Sequence, residues 1–148
     1  MPNINAQIGQ STSAIVKNEF VDDSSDATVQ EIFKATGSVH EIAEKDFSTL
    51  AAIAGSSPAF IYMFIDAMAR AGVLHGLPKD QATAIVAETV RASAEMILQS
   101  GENPWSLVDK VSSPGGTTVA GVVSLEQNHF IATVIDAISA TIEKEKNL

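Results

Sequence analysis

Residues 59 to 74, AFIYMFIDAMARAGVL, limit most strongly what this chain can become. Only Asp66 and Arg70 carry charge in that run. A helix that is apolar nearly all round has no face to give to water, so protein or lipid has to cover it. A membrane span takes roughly 20 unbroken apolar residues. Here Gly55 and Pro58 interrupt on one side, and Arg70, Gly76 and Pro78 follow on the other. A buried central helix is the better reading. Asp66 and Arg70 stand at i and i+4, the spacing of a local ion pair.

The rest of the chain decides what can cover such a helix. Its 148 residues suit one domain, or one domain and a piece of another. The composition is 45% hydrophobic but 5% aromatic, so the core must be built from Ala, Val, Ile and Leu. Small side chains let helices approach closely. A bundle this short has difficulty surrounding a helix on all sides. A second copy of the chain solves the problem, and the expectation is an obligate homodimer with a large apolar interface. The alternative is a monomer in which flanking helices suffice.

Taken in order, the chain opens with a polar, irregular stretch, Met1 to Gln10. Thr12 to Lys17 reads as a strand. Asp22 to Asp26 is an acidic helix start. Ala27 to Ala35 carries Val29, Ile32 and Phe33 at helical spacing, and Gly37 supplies a stop. Ser38 to Ile42 reads as a second strand. This strand–helix–strand unit is too small to stand alone. From Phe47 the chain turns helical: Phe47 to Ala54, a break at Gly55-Ser56-Ser57-Pro58, then the apolar run. Lys79 to Ser100 is strongly periodic, with Ala82, Ile85, Val86, Val90, Ala94, Ile97 and Leu98 on one face. Gly101 ends it, and Asn103-Pro104 caps a short helix, Trp105 to Val111. Two more helices follow, Thr117 to Gln127 and one beyond Asn128 on which Ile131, Val134, Ile135, Ile138 and Ile142 share a face. The fold class is therefore mainly α, a C-terminal helical bundle behind a strand–helix–strand unit. The division falls at 1–45 and 46–148.

The candidate for chemistry is Ser112-Ser113-Pro114-Gly115-Gly116-Thr117-Thr118. Ser113 followed by Pro114 reads as an N-cap and first helical residue. Two glycines in a first helical turn cost about 1 kcal/mol each against Ala. They make sense if something must approach the backbone there. Free N–H groups, the positive end of a helix dipole and two threonine hydroxyls form an anion cradle. A tight interhelical turn with an ordinary cap is the competing reading.

Other chemistries find no support. A net charge of −9 argues against a nucleic-acid or anionic-membrane surface. Without Cys there is no disulfide, thiolate nucleophile or Cys zinc site, which fits a reducing, cytoplasmic setting. His40, His75 and His129 are isolated, and no spacing suggests a metal site. No basic segment precedes an apolar run at the N-terminus, so no signal peptide is visible.

Gly55-Ser56-Ser57-Pro58-Ala59-Phe60, then Ala71-Gly72-Val73 with Gly76-Leu77-Pro78, then Ser112 to Thr118 closely resemble pyrroline-5-carboxylate reductase in order and spacing. Met1-Pro2-Asn3 resembles the Met-Pro-Asn found late in that family's nucleotide-binding domain. There are two departures. The family usually shows Ser-Gly-Ser-Gly-Pro-Ala where this chain has Ala54 to Ala59, which puts Ser57 where glycine would tolerate positive φ. It also commonly has Pro where this chain has Asn5.

The resemblance implies an enzyme of proline biosynthesis that reduces 1-pyrroline-5-carboxylate to L-proline with NADPH or NADH. It implies an N-terminal Rossmann domain, of which 1–45 would be the tail. It also implies a helical dimerisation and substrate-binding domain like the C-terminal domain of 6-phosphogluconate dehydrogenase. Dimers would assemble further into rings. Ser113, Gly115, Gly116, Thr117 and Thr118 would bind substrate, with Thr118 reaching the ring nitrogen as the catalytic group. Asn3, Val111 and Ser113 would lie by the nicotinamide. No Gly-x-Gly-x-x-Gly follows a strand anywhere here. The expectation is thus a fragment lacking the main cofactor site, inactive alone. The alternative is a non-catalytic helical dimerisation module.

Overall fold

The structure is a computed structural model and describes residues 1–147. It divides into two compact units. One is Met1–Phe60 with the stretch from Ile135 onward; the other is Ile61–Val134.

In the first unit, a 3-10 helix (Ile4–Ile8) leads into β1 (Ser11–Ile15), α1 (Asp23–Lys34) and β2 (Gly37–Glu41). The two strands are parallel, with Ser11 opposite Gly37 and Ile15 opposite Glu41. Parallel neighbours need a crossover, and α1 provides it. The expected strand–helix–strand order is present, with shifted bounds. α1 starts at Asp23 rather than Ala27, because Asp22 Oδ1 accepts the Ser25 N–H at 2.7 Å and caps it. Gly37 does not stop the helix. It is the first residue of β2, at φ +148°, where a Cβ would stand 2.1 Å from the Ser11 carbonyl oxygen. All but one of the buried residues here are small: Ser11, Ser13, Ala14, Ala51, Ala52 and Ala54, beside Ile15. The two serine hydroxyls pair with each other at 3.1 Å, which satisfies them out of water.

The expected break at Gly55–Pro58 does not occur. α2 (Phe47–Leu50) passes into a π-helical turn (Ala51–Ser56) and on into α3 (Ser57–Leu74). Pro58 has no N–H and its ring crowds the carbonyl four residues back, so a regular α-turn cannot run through it. Widening by one residue lets the helix continue. Ser57 sits at φ −63°, so no glycine is required there.

The second unit is formed from α3, α4 (Lys79–Ser100), α5 (Pro104–Val111), α6 (Thr117–Gln127) and the start of α7 (Phe130–Lys146). The bounds of α4 are those read from sequence, and α6 ends at Gln127 as expected. Gly101, left-handed at φ 64°, closes α4. Asn103 Oδ1 accepts the Trp105 N–H at 2.9 Å at the start of α5. α3 and α4 meet where Gly72 faces Ala82; a Cβ on Gly72 would stand 3.0 Å from that of Ala82. Phe64 and Phe130 rings pack 6.1 Å apart. Asp66 accepts from Lys79 as well as from Arg70, so the expected pair is part of a triad.

The apolar run is not buried by its own chain. On α3 only Ala69 is buried, while Ile61, Tyr62, Met63, Met68, Val73 and Leu74 are exposed. The continuous helix Glu44–Leu74 is long and apolar enough to cross a membrane by length and composition, with a mean hydropathy of 1.4 in its most apolar window.

Candidate functional site at the start of α6

Ser113 and Pro114 do not begin the helix. The Gly116 N–H donates to the Ser113 carbonyl at 2.9 Å, and Gly115 is left-handed at φ 69°. Pro at the second position and a positive-φ glycine at the third make a type II turn. Gly116 is the N-cap, extended at φ −78°, ψ 169°, and it has no side chain with which to cap. The helix begins at Thr117. Its glycines therefore lie before the first turn, not in it. The cost expected for glycine inside a helix does not arise.

This arrangement leaves donors free. The Gly116 N–H is committed to the turn. Ala120 is the first residue of α6 whose N–H reaches back, to the Gly116 carbonyl at 3.4 Å. Among the described residues, the N–H groups of Thr117, Thr118 and Val119 have no acceptor, and no acidic residue stands in the first turn. Uncapped amides at the positive end of a helix form a site for an anion. Thr117 and Thr118, the first two residues of the helix, are exposed.

Gly116 is held to glycine by its neighbour. A Cβ there would stand 2.4 Å from Ser113 Oγ and 3.0 Å from the Ser113 carbonyl oxygen. The Ser113 hydroxyl thus lies against the helix mouth. Val111, the last residue of α5, is 65% exposed. The Ser112 N–H donates to the Asp109 carbonyl at 3.2 Å. Its hydroxyl is buried and has no partner among the described residues; nothing in the sequence distinguishes it from Ser113.

Asn3 belongs to the first unit. Its side-chain amide bonds main chain on both ends: Nδ2 donates to the Ala54 carbonyl at 3.0 Å, and Oδ1 accepts from Asn5 N–H at 3.2 Å and Thr12 N–H at 3.4 Å. Trp105 lines an apolar groove of about 210 Å³ with Val108, Val122, Leu125, Phe130 and Ile131. No group of three or more His, Asp or Glu able to hold a metal occurs among the described residues.

A family model described as pyrroline-5-carboxylate reductase dimerisation matches residues 44–148. The chain belongs to that family. Pyrroline-5-carboxylate reductases of Aquifex aeolicus and Escherichia coli are 40% and 41% identical to it over all 148 residues. The chain spans about half of their length, 56% and 55%. Among solved structures, the 1-pyrroline-5-carboxylate reductase of Streptococcus pyogenes superposes with a TM-score of 0.96 at 49% identity, covering 100% of this chain and 57% of that one. The Plasmodium falciparum enzyme, solved with NADP bound, gives 0.94 at 37%, covering 99% and 60%. The match is to the C-terminal, dimerisation region of these reductases.

Proposed function

We propose that this chain is the substrate-binding and dimerising part of a reductase that converts 1-pyrroline-5-carboxylate to L-proline with NADPH or NADH. Residues 1–45 are then the tail of the nucleotide-binding domain. The observation that carries this reading is the uncapped start of α6, which pairing of helices does not require. The substrate brings a carboxylate. The main-chain amides of Thr117, Thr118 and Val119 receive it, with the Gly115-Gly116 turn giving it room. Holding the acid fixes the ring, so that reaction becomes a matter of proximity and orientation. The Thr118 hydroxyl bonds the ring nitrogen, accepting from the protonated imine and donating to the lone pair of the product amine. The dinucleotide supplies the hydride that reduces the imine carbon. On this chain the exposed Val111 side chain and the Ser113 hydroxyl would hold its nicotinamide end.

The apolar run belongs against protein rather than lipid, since the Asp66–Arg70–Lys79 triad lies within and beside it. Its partner is a second copy, as the dimerisation family suggests. Rings of dimers, a cytoplasmic setting, and the absence of nucleic-acid and membrane partners complete the reading.

The test uses Thr118→Ala in the complete reductase. Turnover falls about 10- to 100-fold, the scale of one hydrogen bond to a charged group, and the dimer persists. Unchanged kcat removes Thr118 from the mechanism. The 148-residue chain by itself acts as a dimerisation module and leaves NADPH unoxidised in the presence of the imine; turnover by the pure chain refutes that part.

A further inference from the structure

The π-helical turn and Asn3 are bound to each other in a way that neither the dimerisation match nor the proposed chemistry uses. Pro58 offers no N–H, so the Ala54 carbonyl has no donor at the α-helical position. Ala54 is only 8% exposed, and an unpaired carbonyl in such a residue is costly. Asn3 Nδ2 meets it at 3.0 Å, across 51 residues of chain. Ser57 meanwhile gives the Ala52 carbonyl both its N–H and its hydroxyl, the latter at 2.9 Å. That doubled bond fixes the widened turn.

The other end of Asn3 is equally committed. Oδ1 accepts two main-chain N–H groups, from Asn5 and from Thr12 in β1. Two donors on one end and a carbonyl on the other leave one chemically sensible orientation of the amide. The Asn3 N–H donates to Ser11 Oγ at 3.2 Å, and that hydroxyl pairs with the fully buried Ser13. One side chain thus ties the N-terminal turn, β1 and the π turn together. The Asn3–Ala54 bond also crosses residue 44, where the family match begins.

We infer that Asn3 is a pin that holds the segment before residue 44 on the long helix, and that Pro58 creates the vacancy it fills. The proline removes an intrahelical bond, and the carbonyl it leaves free becomes the attachment point. This goes beyond the proposed reaction and stands whatever the chain catalyses. It gives Asn3 an architectural task in place of a cofactor contact.

A double-mutant cycle on this chain, at one protein concentration, tests the inference. Asn3→Ala strands the Ala54 carbonyl and lowers the melting temperature by about 5 °C. Amide exchange at Ser57 to Phe60 speeds up with it. Pro58→Ala restores an N–H that bonds Ala54 within the helix. In that background Asn3→Ala lowers the melting temperature by less, because only the bonds to Asn5 and Thr12 are then lost. Additive shifts overturn the inference. If Asn3→Ala alone fails to fold, the double variant decides: recovery of a cooperative melt supports the pin, and its absence refutes it.

Discussion

Gly116 shows how one missing side chain governs a site. Its backbone is extended, so conformation alone would admit alanine there. The obstacle is contact: an added Cβ comes within 2.4 Å of Ser113 Oγ. The serine hydroxyl can rotate away, but the carbonyl of the same residue, at 3.0 Å, belongs to the turn and yields less easily. Gly116→Ala therefore displaces the turn relative to the first amides of α6. In the complete reductase it raises KM for the imine about 10-fold or more, the scale of a lost charged hydrogen bond. Both neighbours are exposed, so the melting temperature moves by only a few degrees. Steady-state kinetics beside a melting curve checks this. An unchanged KM would mean that substrate does not approach these amides.

At the scale of elements, α1 offers a test through pH. Asp22 caps it, and the Ser25 N–H bound to that carboxylate holds its pKa below the usual 3.8. Lys17 lowers Asp23 in the same way, while Lys79 and then Arg70 lower Asp66. A carboxylate with a depressed pKa in the folded state stabilises above its unfolded value. That contribution is lost as pH falls from 3.8 through the folded value. Asp22→Asn keeps the cap without the titration. Its melting temperature should fall less steeply below pH 3.8 than that of the parent chain, with equal values near neutrality. Parallel curves would show that the cap bond does not discriminate between the two protonation states.

The same elements show what local pattern conveys. α4 was legible to the residue because Pro78 precedes it and Gly101 closes it. The π turn was not. Gly-Ser-Ser-Pro has every mark of a break, and what carries the helix across it is partly the Asn3 amide, 51 residues away in sequence. The cap at Ser113 was misread for a different reason. Pro fits the first position of a helix and the second position of a type II turn equally well. The left-handed Gly115 decides between them, and glycine tolerates either conformation without announcing it. The cradle was visible as a motif, but which amides it frees follows only from the turn. Gly116 spends its N–H there, and Val119, absent from the sequence reading, contributes one.

For the whole molecule, the deciding fact is how little of the apolar run its own chain covers. Met63 is 72% exposed and Leu98 79%, although both belong to faces that read as core. Burying a large apolar side chain of this kind stabilises by about 1.5–3 kcal/mol. Several such residues left in water are hard to reconcile with an independent monomer, and large exposed apolar patches mark interaction surfaces. A charge at position 63 discriminates sharply between the possibilities. If the chain works alone, Met63→Glu places a carboxylate in water and costs almost nothing. If a second copy covers α3, the same substitution buries an unpaired charge at the interface, a severe penalty. The expected result is a parent chain that sediments as a dimer throughout the micromolar range, and a variant that is monomeric or unfolded. A variant with the parent's size and melting temperature would mean that this face of α3 is not where the copies meet.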